Sequence, residues 1–204
     1  MNNQEIFFNF LEENFPDRAG ELQERFTQYY DILVEANSKI NLFSRKMPLE
    51  DIWTTHFYDS LIPYKLFTGK RDRILDFGTG GGLPGIPLAI LFPESTVNLL
   101  DGTKKKIMAI DEMLDILQLE NVNAIWSRVE EYFTINSYDY IVSRSVKIIP
   151  EFKPFLMGLL QPKGKLILYK SKILDDVMQF KNYKINDYSN EILGTRNIIE
   201  IRHE

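Results

Sequence analysis

A carboxylate followed by glycines at alternate positions, Asp76-x-Gly78-x-Gly80-x-Gly82, is the densest piece of chemistry in this 204-residue chain. Glycines so placed let the backbone turn sharply and approach a ligand with no Cβ in the way. Asp101, about twenty residues beyond them, stands where a carboxylate must lie to take the two ribose hydroxyls of an adenosine cofactor. An aspartate serving only to cap the next helix would read the same way, and both roles can coexist. Arg144 ends a later apolar run, where a guanidinium can orient an acceptor or hold a phosphate. His56 and Asp59 are three residues apart and share a helix face, shaping a pocket or simply satisfying each other. With no cysteine in the chain, disulfides, thiolate metal sites and cysteine nucleophiles are excluded.

The glycine run fits two registers. Gly80-x-Gly82-x-x-Gly85 matches the dinucleotide fingerprint. Read from Asp76, the run matches the acidic-glycine pattern of class I S-adenosylmethionine (SAM) methyltransferases. The second register begins where the preceding strand ends, which is where the turn must be, and is preferred on that ground. A glycine turn without a ligand is the plain alternative.

The elements that must position these residues follow from hydrophobic periodicity. Apolar Ile74, Leu75 and Phe77 suit a strand covered on both faces. Helical spacing predicts helices over 2–15, 17–37, 48–67, 83–91, 104–119, 151–160 and 173–180, with Pro84 in the first turn of its helix. Strands are expected over 95–101, 122–128, 138–144 and 165–169, the last preceded by a turn over 161–164, with a short helical turn over 129–133. A closing antiparallel pair, 183–192 and 197–202, meets across Gly194. Alternating strands and helices predict an α/β fold, a Rossmann-like αβα sandwich with a mostly parallel sheet, an antiparallel last strand and ligands at the strands' carboxyl ends. One domain is expected over 1–204, with residues 1–68 as a helical extension packed on a core of 69–204.

Hydrophobic residues at 44% and charged residues at 26% describe an ordinary globular chain, expected to be cytoplasmic and monomeric. The start, MNNQEIFF, lacks the basic region of a signal peptide, and no apolar run is long enough to span a membrane. A net charge of −5 argues against a surface that binds nucleic acid everywhere, but lysines and arginines cluster locally, as at Lys104–Lys106. His56 has no acid cluster near it, so no metal site is expected.

The stretch DFGTGGGLPGIPLAILFPE closely resembles the ribosomal RNA small subunit methyltransferase G family, also called glucose-inhibited division protein B. NLFSR at 41–45, HFYDSL at 56–61, SRVEE at 127–131 and VSRS at 142–145 agree with it in the same order. The resemblance implies a class I fold and SAM-dependent N7 methylation of one guanine in the decoding-region loop of 16S rRNA, on the small ribosomal subunit or an assembly intermediate. It implies cofactor contacts at Gly78, Leu83, Val129, Glu130 and Arg144, beside Gly80 and Asp101 from the residues themselves. RNA contacts are implied at Lys105, Lys106, Arg128, Lys170 and Arg196. Arg144 is expected to position the acceptor, and no general base is needed, because guanine N7 already carries a lone pair. The sequence departs from the family at Gly81, usually Pro or Ala, and at Ser145-Val146, usually Ala-Phe. A methyltransferase acting on a small molecule or protein, a dinucleotide oxidoreductase and a silent RNA-binding module are the rival readings.

Overall fold

Five strands run parallel through the centre of the molecule, in an order set by crossover helices: β1 (Arg73–Phe77), β2 (Thr96–Asp101), β3 (Val122–Trp126), β4 (Tyr138–Arg144) and β5 (Leu160–Lys170). The computed structural model describes residues 1–134 and 137–202. Two more strands, β6 (Tyr183–Asp187) and β7 (Asn197–Arg202), complete a seven-stranded sheet of order β3-β2-β1-β4-β5-β7-β6. β7 lies antiparallel to both β5 and β6. The expected mostly parallel sheet with an antiparallel end is therefore observed, and strand order reverses beside β1, the position where such sheets open a ligand crevice.

Strand alternation divides the core into two halves. Ile74 and Val97 face one side with the N-terminal helices α1 (Asn3–Asn14) and α2 (Ala19–Lys39), whose Phe7, Phe26, Tyr29 and Leu33 are fully buried. The same side holds a three-residue helix, α3 (Asp59–Leu61), then α4 (Gly85–Leu91) and α5 (Lys104–Leu117). Leu75 and Ile141 face the other side with α6 (Lys153–Leu159). Arg18 ties the N-terminal helices to α4 by donating to the carbonyls of Leu91 at 2.7 Å and Ile90 at 3.3 Å, which a helix end leaves without partners. Among the described residues no helix is long and apolar enough to cross a membrane.

The structure corrects five local expectations. The helix over 48–67 is broken: a wide π turn, Ile52–Tyr58, leads into α3, between short 3₁₀ turns at Leu49–Asp51 and Tyr64–Leu66. Thr55 and Ser60 hydroxyls donate to the Asp51 and His56 carbonyls there, and an arginine from β4 donates to the Thr55 carbonyl, so side chains supplement the widened backbone ladder. Residues 174–180 form consecutive turns in place of the expected helix over 173–180, closing from Val177 to Leu174 and from Phe180 to Val177, with Asp176 Oδ2 accepting from the Ile148 amide at 2.7 Å. The turn over 161–164 is absorbed into β5, opposite an irregularity of β4 between Tyr138 and Tyr140. Finally, α4 begins at Gly85 with Pro84 as its N-cap, and β6 stops at Asp187.

Candidate functional site

β1 delivers the glycine loop, and Asp76 anchors it. Asp76 is fully buried, and its Oδ2 accepts from Thr79 Oγ1 at 2.7 Å and from the Gly85 amide at 2.8 Å, closing the loop onto the start of α4. Burial pushes its carboxyl up to about 6, against the pull of these hydrogen bonds and of Arg144. Gly85 has no room for a side chain: a Cβ would stand 2.2 Å from Leu99 and 2.8 Å from Asp76 Oδ2. Gly78 is required for another reason, its φ of +71°, and a Cβ there would come 2.5 Å from Val146 Cγ2.

β2 ends on Asp101, whose carboxylate accepts from the Gly80 amide at 3.1 Å and from the Thr103 amide at 2.8 Å. It thus steadies the glycine loop and the entry to α5 together. Two carboxylate oxygens offer about four acceptor positions, so room remains for ribose hydroxyls.

Two cavities meet at Gly78 and Asp101. The first, of about 320 Å³, lies beyond the ends of β2 and β3 and is lined by Gly102, Arg128, Val129 and Glu130. Val129 lines it although it is almost fully buried, in the core cluster with Leu75 and Phe77. The second, of about 480 Å³, lies beyond β1 and β4 and is lined by Gly80, Leu83, Phe43, His56, Lys106 and Arg144.

The floor of the second cavity is a buried charge cluster. Arg144 Nη1 lies 3.0 Å from Asp59 Oδ2 and also donates to the carbonyls of Thr55 at 3.1 Å and His56 at 3.4 Å. Asp59, fully buried, faces a second cation: Arg196 Nε stands 2.7 Å from its Oδ1, an ion pair without hydrogen-bond alignment. Ser143 fixes the strand end by donating to Phe77 O at 2.8 Å, and Ser145 then turns the chain with a φ of +63°, uncommon for a residue with a side chain. Burial and the Arg144 guanidinium push His56 down to about 3, so the imidazole is neutral near pH 7. Its Nε2 is buried with no hydrogen-bond partner among the described residues.

Residues 22–194 match the family model described as rRNA small subunit methyltransferase G. The chain belongs to this family. A ribosomal RNA small subunit methyltransferase G from Chlorobium chlorochromatii is 42% identical over 157 residues, covering 77% of this chain and 67% of that one. Its namesake from Christiangramia forsetii is 35% identical over 187 residues, covering 88% and 87%. Among solved structures, a SAM-dependent methyltransferase from Aquifex aeolicus superposes with a TM-score of 0.59 at 16% identity, over 72% of this chain and 90% of that one. That likeness shows the class I fold alone.

Gly78, Gly80, Leu83, Asp101, Val129, Glu130 and Arg144 all line one or both of the two adjoining cavities. Arg128, exposed, lines the first and Lys106 lines the second, while Lys105 is exposed on the first turn of α5. Two other cations lie differently. Lys170 Nζ is paired with Asp176 and donates to Val146 O at 3.1 Å, and Arg196 is turned inward onto Asp59. The structure takes both up in internal ion pairs, because each strand-end cation has a buried aspartate within reach. Sequence reasoning also missed two supports of the loop. Tyr29, within the helix expected over 17–37, donates from its hydroxyl to Gly81 O at 3.1 Å. Asn37 Oδ1 accepts from the amides of Leu42 and Phe43 at 2.8 and 3.0 Å, setting the NLFSR segment over the glycines. A helix-stripe tyrosine carries no mark of such a role, whereas an asparagine just before a helix end is a recognisable capping residue.

Proposed function

We propose that the chain transfers a methyl group from SAM to N7 of a guanine in small-subunit rRNA. The observation that carries this reading is the pair of cavities joined at Gly78 and Asp101, the second floored by Arg144 and the unpartnered His56 nitrogen. The residues suit the cofactor: a side chain at Gly78 would fill the junction, and Asp101 keeps acceptor capacity for a ribose. Asp101 would hold the ribose, Val129 and Glu130 the adenine side, and Gly78, Gly80 and Leu83 the methionine side. Arg144 brings a cation for its carboxylate. Bound there, SAM supplies a methyl group activated by its sulfonium.

The protein's own work is positional. Guanine N7 needs no proton removed before it attacks, and a histidine pushed down to about 3 is a poor base. Rate enhancement then rests on holding N7 in line with the methyl, a contribution that orientation alone can make large. The Asp59 ion pairs fix Arg144, and through it His56, as a rigid wall for the acceptor. Lys105, Lys106 and Arg128 are the cations we assign to rRNA phosphates.

The test is a SAM titration followed by methyl transfer to small subunits that lack the modification. Saturable SAM binding with transfer to one guanine supports the reading. Stabilisation by a dinucleotide instead of SAM, or transfer only to a small molecule, contradicts it.

A further inference from the structure

Among the basic residues at the cofactor mouth stands an aromatic side chain that the reading above does not use. Trp126 ends β3, at the edge of the sheet, and is 57% exposed, whereas the chain's other tryptophan, Trp53, is 5% exposed. Despite its exposure the indole is held. Its Nε1 donates to Gly102 O at 3.2 Å, and Lys104 Nζ lies 4.8 Å from the ring centroid. The Arg128 stem lies against Gly102, with Cγ 3.6 Å from the point where a Cβ would stand. Lys104, Trp126, Gly102 and Arg128 therefore form one continuous ledge, and Gly102 and Arg128 also line the first cavity.

We propose that this ledge is the docking surface for a single-stranded segment of the RNA substrate, with a base stacked on Trp126 and flanking phosphates met by Lys104, Lys105 and Arg128. Three observations favour that occupant. The chain carries a net −5, so affinity for a polyanion must come from a local patch, and this is a patch of cations with exposed side chains. Lys170 and Arg196, toward the opposite side of the sheet, are already taken up by Asp176 and Asp59. An indole fixed by a hydrogen bond loses little freedom when a base stacks on it, and cation-flanked aromatic platforms are the chemistry by which single strands are bound without duplex pairing. Duplex RNA offers its phosphates but keeps its bases stacked, so it has no use for the indole.

This inference rests on the rRNA reading, and the experiment separates the two. Tryptophan emission of the full chain is followed on addition of a short single-stranded RNA oligonucleotide, and of a duplex of the same sequence. Methyl transfer to unmodified small subunits is measured for wild type, Trp126→Ala and Trp126→Phe, alongside SAM affinity and melting temperature. The single strand should quench Trp126 saturably and the duplex should quench it less. Trp126→Ala should raise KM for small subunits about ten-fold, within the range of one lost base stack, and Trp126→Phe should recover most of it. SAM affinity and melting temperature should stay close to wild type in both variants. If wild type methylates small subunits and Trp126→Ala matches its KM, the ledge is overturned while the function stands. Equal quenching by duplex and single strand overturns base stacking. If wild type transfers no methyl to small subunits, the rRNA reading fails, and the quenching comparison still decides the ledge.

Discussion

Replacing Asp59 by Asn tests whether the buried charge cluster holds the floor of the site. Asp59 is fully buried and stands 3.0 Å from Arg144 Nη1 and 2.7 Å from Arg196 Nε, and the two guanidinium side chains are 9% and 19% exposed. Asparagine keeps the shape, but it removes the one charge that both cations face and turns an N–H₂ toward one of them. Removing one partner of a buried pair costs about 3–5 kcal/mol, because the remaining charge stays desolvated. In a chain of this size each kcal/mol moves the melting temperature by about 2–4 °C, so a fall of roughly 6–20 °C is expected by calorimetry. Adding Arg196→Met to Asp59→Asn removes one stranded cation and should restore part of that loss, which a merely mispacked asparagine would not do. Methyl transfer should fall with Asp59→Asn beyond the loss of folded protein, since Arg144 is no longer fixed. A destabilisation below about 1 kcal/mol, the value of an exposed ion pair, would refute the reasoning.

Other outcomes follow from single observations. Asp101→Ala removes the carboxylate assigned to the ribose and the acceptor for the Gly80 amide, so calorimetric titration should show SAM affinity reduced at least about ten-fold; an unchanged Kd would remove Asp101 from the cofactor site. Gly78→Ala combines a left-handed φ with a contact of 2.5 Å to Val146, and should cost about 1–3 kcal/mol in chemical denaturation and abolish saturable SAM binding. Pairing it with Val146→Ala should recover only the steric share. The pH dependence of stability has two opposed parts. His56 is depressed from 6.5 to about 3 in the fold, so its contribution is intact above 6.5 and is lost as pH falls toward 3, by up to about 1.4 kcal/mol per unit. Asp76 is raised from 3.8 to about 6, so its contribution is present below 3.8 and is lost as pH rises through 6. His56→Gln should therefore flatten the acid side between pH 6 and 4 relative to wild type; parallel profiles would show that His56 does not titrate as described.

What was legible in the sequence was local. The strand, the glycine turn and Asp101 could be placed because a buried strand, a turn with positive φ and the next strand's carboxyl end are fixed within one β-α-β unit, about thirty residues in such folds. The fold class followed from the alternation of elements. What the sequence hid was long-range pairing. Nothing in HFYDSL marks Asp59 as the partner of Arg144, 85 positions away, or of Arg196 in the loop before β7. The π turn over Ile52–Tyr58 was hidden for the same reason, since carbonyls outside the regular ladder are taken by Arg144 from another strand. Residues 173–180 show the limit of periodicity itself: apolar positions at three-residue spacing suit a helix and a run of tight turns equally, and Asp176, bonded to the Ile148 amide and Lys170, decides for the turns. Lys170 and Arg196 were expected at the RNA because the resemblance gives positions without the partners, Asp176 and Asp59, that the fold brings to them.

The central claim is that the two joined cavities bring SAM and a guanine of small-subunit rRNA together for N7 methylation without a general base. Incubating the protein with labelled SAM and small subunits lacking the modification, then locating the product by base-specific cleavage at N7-methylguanine and by mass spectrometry, tests it most directly. The account predicts one methyl per subunit at guanine N7, with a rate that does not fall as pH drops from 8 to 6. Methylation at another atom, or a rate that collapses over that range as a titrating base would require, contradicts it.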